Sequence, residues 1–170
     1  QYFLTFEYKG AFHWTPSHYS LKLEMRKNGN FIIKKDFGNR IFFRYCYESN
    51  YPWAESCNKF YLREIKAGSV DKSSNSIKVY DADTDVETVV TEEACWSILA
   101  WSKEAHYIVY DIYQKNNVVD VMIADLFNKI IVKISRKTEW HICFVFFDNE
   151  EKYIIAIMQD KQTNDIKLET

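Results

Sequence analysis

Hydrophobic and polar residues alternate through much of the chain. YSLKLEM (19–25) places Tyr19, Leu21, Leu23 and Met25 on one side and Ser20, Lys22 and Glu24 on the other. A period of two is that of a half-buried strand. YFLTFEY (2–8) alternates as well, with Tyr2, Leu4, Phe6 and Tyr8 opposite Phe3, Thr5 and Glu7. After residue 25 comes KNGN (27–30), then the return run FIIKK (31–35). Asn28-Gly29 between two such runs predicts a hairpin, because a type I′ turn needs positive φ at both central residues. Further strands are predicted at RIFFRYCY (40–47), KFYLREIK (59–66), IKVYDA (77–82), VETVV (86–90) and CWSILAW (95–101). Five more follow: HYIVYDIY (106–113), VVDVMIA (118–124), IIVKIS (130–135), WHICFVFF (140–147) and YIIAIMQ (153–159). AGSVDKSSNS (67–76) reads as a polar loop, and IADLFNKI (123–130) leaves room for one helix. The polar residues 160–170 are expected to fray.

The connectors SKEA, QKNN, RKTE and DNEEK are short and polar. Such connectors join antiparallel neighbours and are too short for parallel crossovers. HYIVYDIYQ (106–114) carries bulk on both faces, which places it in a sheet covered on both sides. The expected fold is all-β: a single-domain antiparallel barrel or sandwich of short meandering strands, which 170 residues can fill. WSILAWSKEAHYIVYDIYQ (96–114) and WHICFVFFDNEEKYIIAIMQ (140–159) resemble each other at an offset of 44 residues. A propeller blade or trefoil unit has such a period, but an array needs three copies and no third is visible. The pair therefore reads as two hairpins built by the same chemistry.

Composition narrows the partners. Apolar residues make up 47% and charged residues 27%, as in a folded globular chain. The formal net charge of -2 gives no bulk attraction to nucleic acid or an anionic membrane. No run of 18 apolar residues is present, so no membrane span is expected. Aromatic residues reach 17%, in keeping with strands. Cys46, Cys57, Cys95 and Cys143 include no Cys-x-x-Cys pair. Two disulfides are expected from the even count, with Cys46–Cys57 and Cys95–Cys143 preferred among three pairings. The alternative is four buried thiols acting as small apolar side chains.

Few residues suggest chemistry. In DADTD, Asp81, Asp83 and Asp85 take positions one, three and five of a calcium loop, and Glu92 falls at position twelve. Val86 replaces the glycine required at position six, and strands replace the flanking helices, so an acidic turn is the better account. His13, His18, His106 and His141 form no ligand spacing. Gly-x-Ser-x-Gly and Walker sequences are absent. Arg40, Arg44, Lys59 and Arg63 interleave with aromatics over 39–64, and paired strands with charged outer faces explain them more simply than a nucleic-acid groove does.

Residues 59 to 126 resemble the middle of a lipocalin. The stretch CWSILAWSKEAHYIVYDIYQKNNVVDVMIAD is similar to that family's late strands, and KFYLREIK to an earlier wall strand. The resemblance implies an eight-stranded antiparallel barrel, usually secreted, around a hydrophobic cavity. The family's opening Gly-x-Trp is replaced by Gly10 and Trp14, four apart, and strands fill 130–159 where the family has a helix. The expected function is a secreted or extracellular carrier that holds a small apolar molecule, with a cytoplasmic site as the alternative. Its ligand would meet Trp96, Ile98, Tyr107, Ile108, Val109, Tyr110, Ile112, Met122 and Trp140. The rival is a protein-interaction module that exposes aromatics and holds no internal ligand. An enzyme ranks third, and no catalytic residue or cofactor is expected.

Overall fold

In a computed structural model, residues 1–8, 19–38, 53–65, 75–93, 95–113, 119–134 and 140–170 are described. The expected strand at 40–47, Cys46, and the connectors at 114–117 and 136–139 lie outside them. So do His13, Trp14 and His18.

All the regular structure among the described residues is β, arranged as four antiparallel meanders. The first sheet contains β1 (Tyr2–Tyr8), β2 (Tyr19–Lys27) and β3 (Asn30–Gly38). The second contains β4 (Lys59–Ile65), β5 (Asn75–Asp81) and β6 (Val86–Thr91). The third has four strands, β7 (Cys95–Trp101), β8 (Tyr107–Tyr113), β9 (Val119–Asp125) and β10 (Ile130–Ile134). The fourth contains β11 (Trp140–Phe147), β12 (Ile154–Asp160) and β13 (Ile166–Glu169). In each sheet, strands adjacent in sequence are adjacent in space, as short connectors require. Among the described residues no sheet closes into a barrel. The strands that resemble lipocalin, β4 to β9, belong to two separate sheets.

The chain forms two compact units. One comprises Gln1–Tyr45 with Asn58–Glu93, the other Cys46–Cys57 with Ala94–Thr170. In the first unit, Phe37 of β3 meets Phe60 of β4 and Tyr80 of β5 edge-on, at centroid distances of 5.9 Å and 5.1 Å. Leu21 and Leu23 of β2 are buried. Phe60, Tyr61 and Leu62 are consecutive and all buried, so both faces of β4 are covered.

In the second unit, Ala100, Val109 and Val121 of the third sheet pack with Val145 of the fourth. Leu99, Ile123, Ile134, Ile142, Phe147, Ile154 and Ala156 surround them. Burying one such aliphatic side chain stabilises the fold by roughly 1.5–3 kcal/mol.

Two kinds of turn recur. At 102–107, Ser102 N–H donates to the Tyr107 carbonyl, Ala105 takes φ 58°, and Ser102 Oγ accepts the Tyr107 N–H at 2.9 Å. At 148–153, Asp148 N–H donates to the Tyr153 carbonyl, Glu151 takes φ 56°, and Asp148 Oδ1 accepts the Tyr153 N–H at 2.8 Å. The turns are the same at a spacing of 46 residues, so the repeat seen in sequence is a repeat of structure. A second turn occurs three times. Asp81, Asp125 and Asp160 each accept backbone N–H groups two and three residues ahead. The residue four ahead, Asp85, Lys129 or Asn164, takes positive φ. The chemistry is that of an Asx-turn. Similarity thus reaches three of the four sheets and is wider than two hairpins.

Asn28 and Gly29 have φ of 52° and 84°, as the predicted type I′ hairpin requires. IADLFNKI is the Asp125 turn, not a helix, because the carboxylate captures the N–H groups that would begin one. The segment 160–170, expected as a polar tail, forms the Asp160 turn and β13, paired to β12.

The turn carboxylates give a pH dependence. Asp125 is held below its ordinary pKa of 3.8 chiefly by the Asn128 backbone N–H, and Asp160 chiefly by the Thr163 backbone N–H. Both folded values are depressed, so their stabilisation is complete above the ordinary value and is lost as pH falls through the folded one. NMR titration is expected to place both carboxyls below 3.8, and Asp125→Asn with Asp160→Asn to flatten the acid limb of the stability curve. Carboxyls titrating at or above that value would contradict the turn assignment.

Candidate functional site

The residues expected to hold an apolar ligand lie on β7, β8, β9 and β11, and pairing now assigns their faces. Ile98 faces Tyr110, and Tyr110 faces Met122, so the three form one row across β7, β8 and β9. Ile108 and Ile112 share the Tyr110 face, two residues away on either side, and Val109 points to the other. Ile98, Ile108, Val109, Tyr110 and Ile112 are buried, while Tyr107 and Met122 are half-buried. Val109 contributes to the packing against the fourth sheet. The Tyr107 ring lies 6.2 Å from that of Phe147. Trp96 lies on β7 and Trp140 begins β11; their side chains fall outside the described set. Five of the expected residues, Ile98, Ile108, Tyr110, Ile112 and Met122, thus share one face of the third sheet, Tyr107 and Val109 lie on its other face, and Trp140 belongs to the fourth sheet.

The acidic loop is built from three separate interactions. Asp81 closes its Asx-turn. Asp83 accepts the Asn58 side-chain amide at 3.2 and 3.1 Å. Asp85 accepts the Tyr80 hydroxyl and pairs with Lys35 at 3.2 Å. Glu92 is exposed beyond the end of β6. Among the described residues no cluster of three or more His, Cys, Asp or Glu is placed to hold a metal.

Tyr80, Asp85, Lys34 and Lys35 form a connected polar group in the first unit. Lys34 Nζ donates to the Ala82 carbonyl and lies 3.5 Å from the Tyr2 hydroxyl. Lys35 Nζ stands 4.5 Å from the Tyr80 ring centroid. Burial, reinforced by Asp85, raises the Tyr80 pKa above its ordinary value. The Tyr80 hydroxyl and then Lys35 hold Asp85 below its own. The group ties β3 to the 81–85 turn.

The expected disulfides receive no support. No disulfide is seen among the described residues, and Cys143 Sγ lies 4.0 Å from Gln159 Oε1. Cys46 and the side chain of Cys95 fall outside the described set.

A feature the sequence reading missed is the outer face of the fourth sheet. Phe144 pairs with Ile157, Phe146 with Ile155, and Ile157 with Leu168; Ile166 pairs with Gln159. Phe144, Phe146, Ile155, Ile157, Ile166 and Leu168 therefore share one face, opposite Val145, Phe147, Ile154 and Ala156. Phe144, Phe146, Ile166 and Leu168 are exposed by 56%, 43%, 70% and 68%, so four large apolar side chains stand in solvent on this one face. The alternation in IKLE (166–169) was the available signal.

The sequence matches no family model and no curated protein. Among solved structures it is similar to TolB from Acinetobacter baumannii, a protein of β-propeller type. Identity is 12% and the TM-score 0.50, over 90% of this chain and 38% of that one. The chain thus spans well under half the length of TolB, and the likeness is one of fold: successive antiparallel meanders. No helix among the described residues is long and apolar enough to cross a membrane.

If the β8 residues serve packing, Ile108→Ala lowers unfolding stability by about 2–5 kcal/mol in urea denaturation. A cost below about 1 kcal/mol would mark the wall of a void that tolerates truncation.

Proposed function

We propose that the protein is an interaction module that docks a protein partner on the exposed face of β11–β13. One observation carries this reading. Ile98, Ile108, Tyr110 and Ile112, which would line an internal site, are buried in packing, whereas Phe144, Phe146, Ile166 and Leu168 stand together in solvent. Aromatic and aliphatic anchors on a rigid, hydrogen-bonded sheet are what a docking surface needs, because little conformational entropy remains to be lost on binding. The polar clusters agree with a non-catalytic role, since their carboxylates and cations are committed to turns and to one another.

A secreted carrier of a small apolar molecule is the competing function, and the same residues separate the two. The test is intrinsic tryptophan fluorescence during titration with palmitate and with retinol. The module reading predicts no saturable change. Saturable binding at one molecule per chain, abolished in Tyr110→Ala but retained in Leu168→Lys, would overturn it and restore the carrier.

A further inference from the structure

The face of β11–β13 has a counterpart within the same unit, and that counterpart is covered. Ala100 and Val109 are Cα partners across β7 and β8, and they pack with the fourth sheet. The two matching turns, 102–107 and 148–153, set an equivalence of 46 residues between these hairpins. At that spacing Ala100 corresponds to Phe146 and Val109 to Ile155, and these are again Cα partners. The pair that receives the next sheet in one hairpin is therefore repeated in the other, where Phe146 is 43% exposed. By this continuity with the interface already present, the occupant is another β-sheet packed face to face, about 10 Å away.

The chemistry of the face selects the source of that sheet. We infer that it is the same face of a second copy of this chain, related by a two-fold axis. Among the described side chains the face carries six apolar ones and one neutral polar one, Gln159, whose amide donates to Asn164 Oδ1, and the charges of β13, Lys167 and Glu169, fall on the opposite side with Met158 and Ala156. Two such faces meet without burying a charge or setting like charges together. The exposed aromatics of the first sheet suit the role less well. Phe3 and Ile33 flank Glu24, and Phe31 pairs with Arg26, so docking them would strip water from two charges. A two-fold contact places Phe146 and Leu168 twice in one interface, so each substitution there acts twice.

This inference rests on the module reading and adds the identity of the partner. Sedimentation velocity of the full chain from low to high micromolar concentration is the test. The expected result is a concentration-dependent doubling of mass, with Leu168→Lys weakening dimerisation by about tenfold or more. Ile166→Lys is the second variant. Both positions are well exposed, so each variant is expected to keep the wild-type melting temperature and circular dichroism. A chain that remains monomeric throughout, or a dimer unchanged by both substitutions, would overturn the second copy. Neither outcome touches the module reading, which the palmitate and retinol titrations decide separately.

Discussion

Ile108, Val109 and Tyr110 are consecutive in β8, and all three are removed from solvent. Successive residues of a strand point to opposite faces, so this strand requires cover on both sides. From that constraint the arrangement of the second unit follows. One face of β7–β10 is met by Val145 and its neighbours, which fixes the fourth sheet in place and leaves that sheet with a second apolar face of its own. The proposed docking surface follows from building with sheets that are greasy on both sides: the fourth sheet packs on the third by one face and carries apolar side chains on the other.

The turns keep this construction in register. Ser102 and Asp148 close one hairpin type by the same hydrogen bonds, and Asp81, Asp125 and Asp160 close another. Each replaces the backbone partner that a bend removes with a side-chain oxygen, so a sharp reversal leaves few unsatisfied N–H groups. Because a slip of one residue would exchange the two faces of a strand, fixed turns also fix which side chains pack and which are exposed.

Much of the secondary structure was legible in the residues. The alternation of 19–25 and the demand of Asn28-Gly29 for positive φ are local, and local physics decided them. The bulk on both sides of HYIVYDIYQ announced a doubly covered strand. The candidate site was less legible, because burial depends on neighbours that the strand itself does not name. Tyr110 and Val109 looked equally available to a ligand until pairing placed them on opposite faces. The spacing of Asp81, Asp83 and Asp85 suggested a cation, yet spacing does not reveal that Asn58 and Tyr80 fold back onto two of the carboxylates. An even cysteine count likewise carries no distances. Ile166–Glu169 was hidden by its brevity: four residues, two of them charged, read as a tail until β12 paired with them.

Hydroxyl-radical footprinting of the dilute, monomeric chain, read by mass spectrometry, tests the central claim most directly. Leu168, Ile166 and Phe144 are predicted to be oxidised rapidly, while Ile108, Val109 and Tyr110 remain protected until the chain unfolds. Labelling of Ile108 and Tyr110 as fast as that of Leu168 would contradict the doubly covered sheet, and with it the open face that the account makes the working surface of the protein.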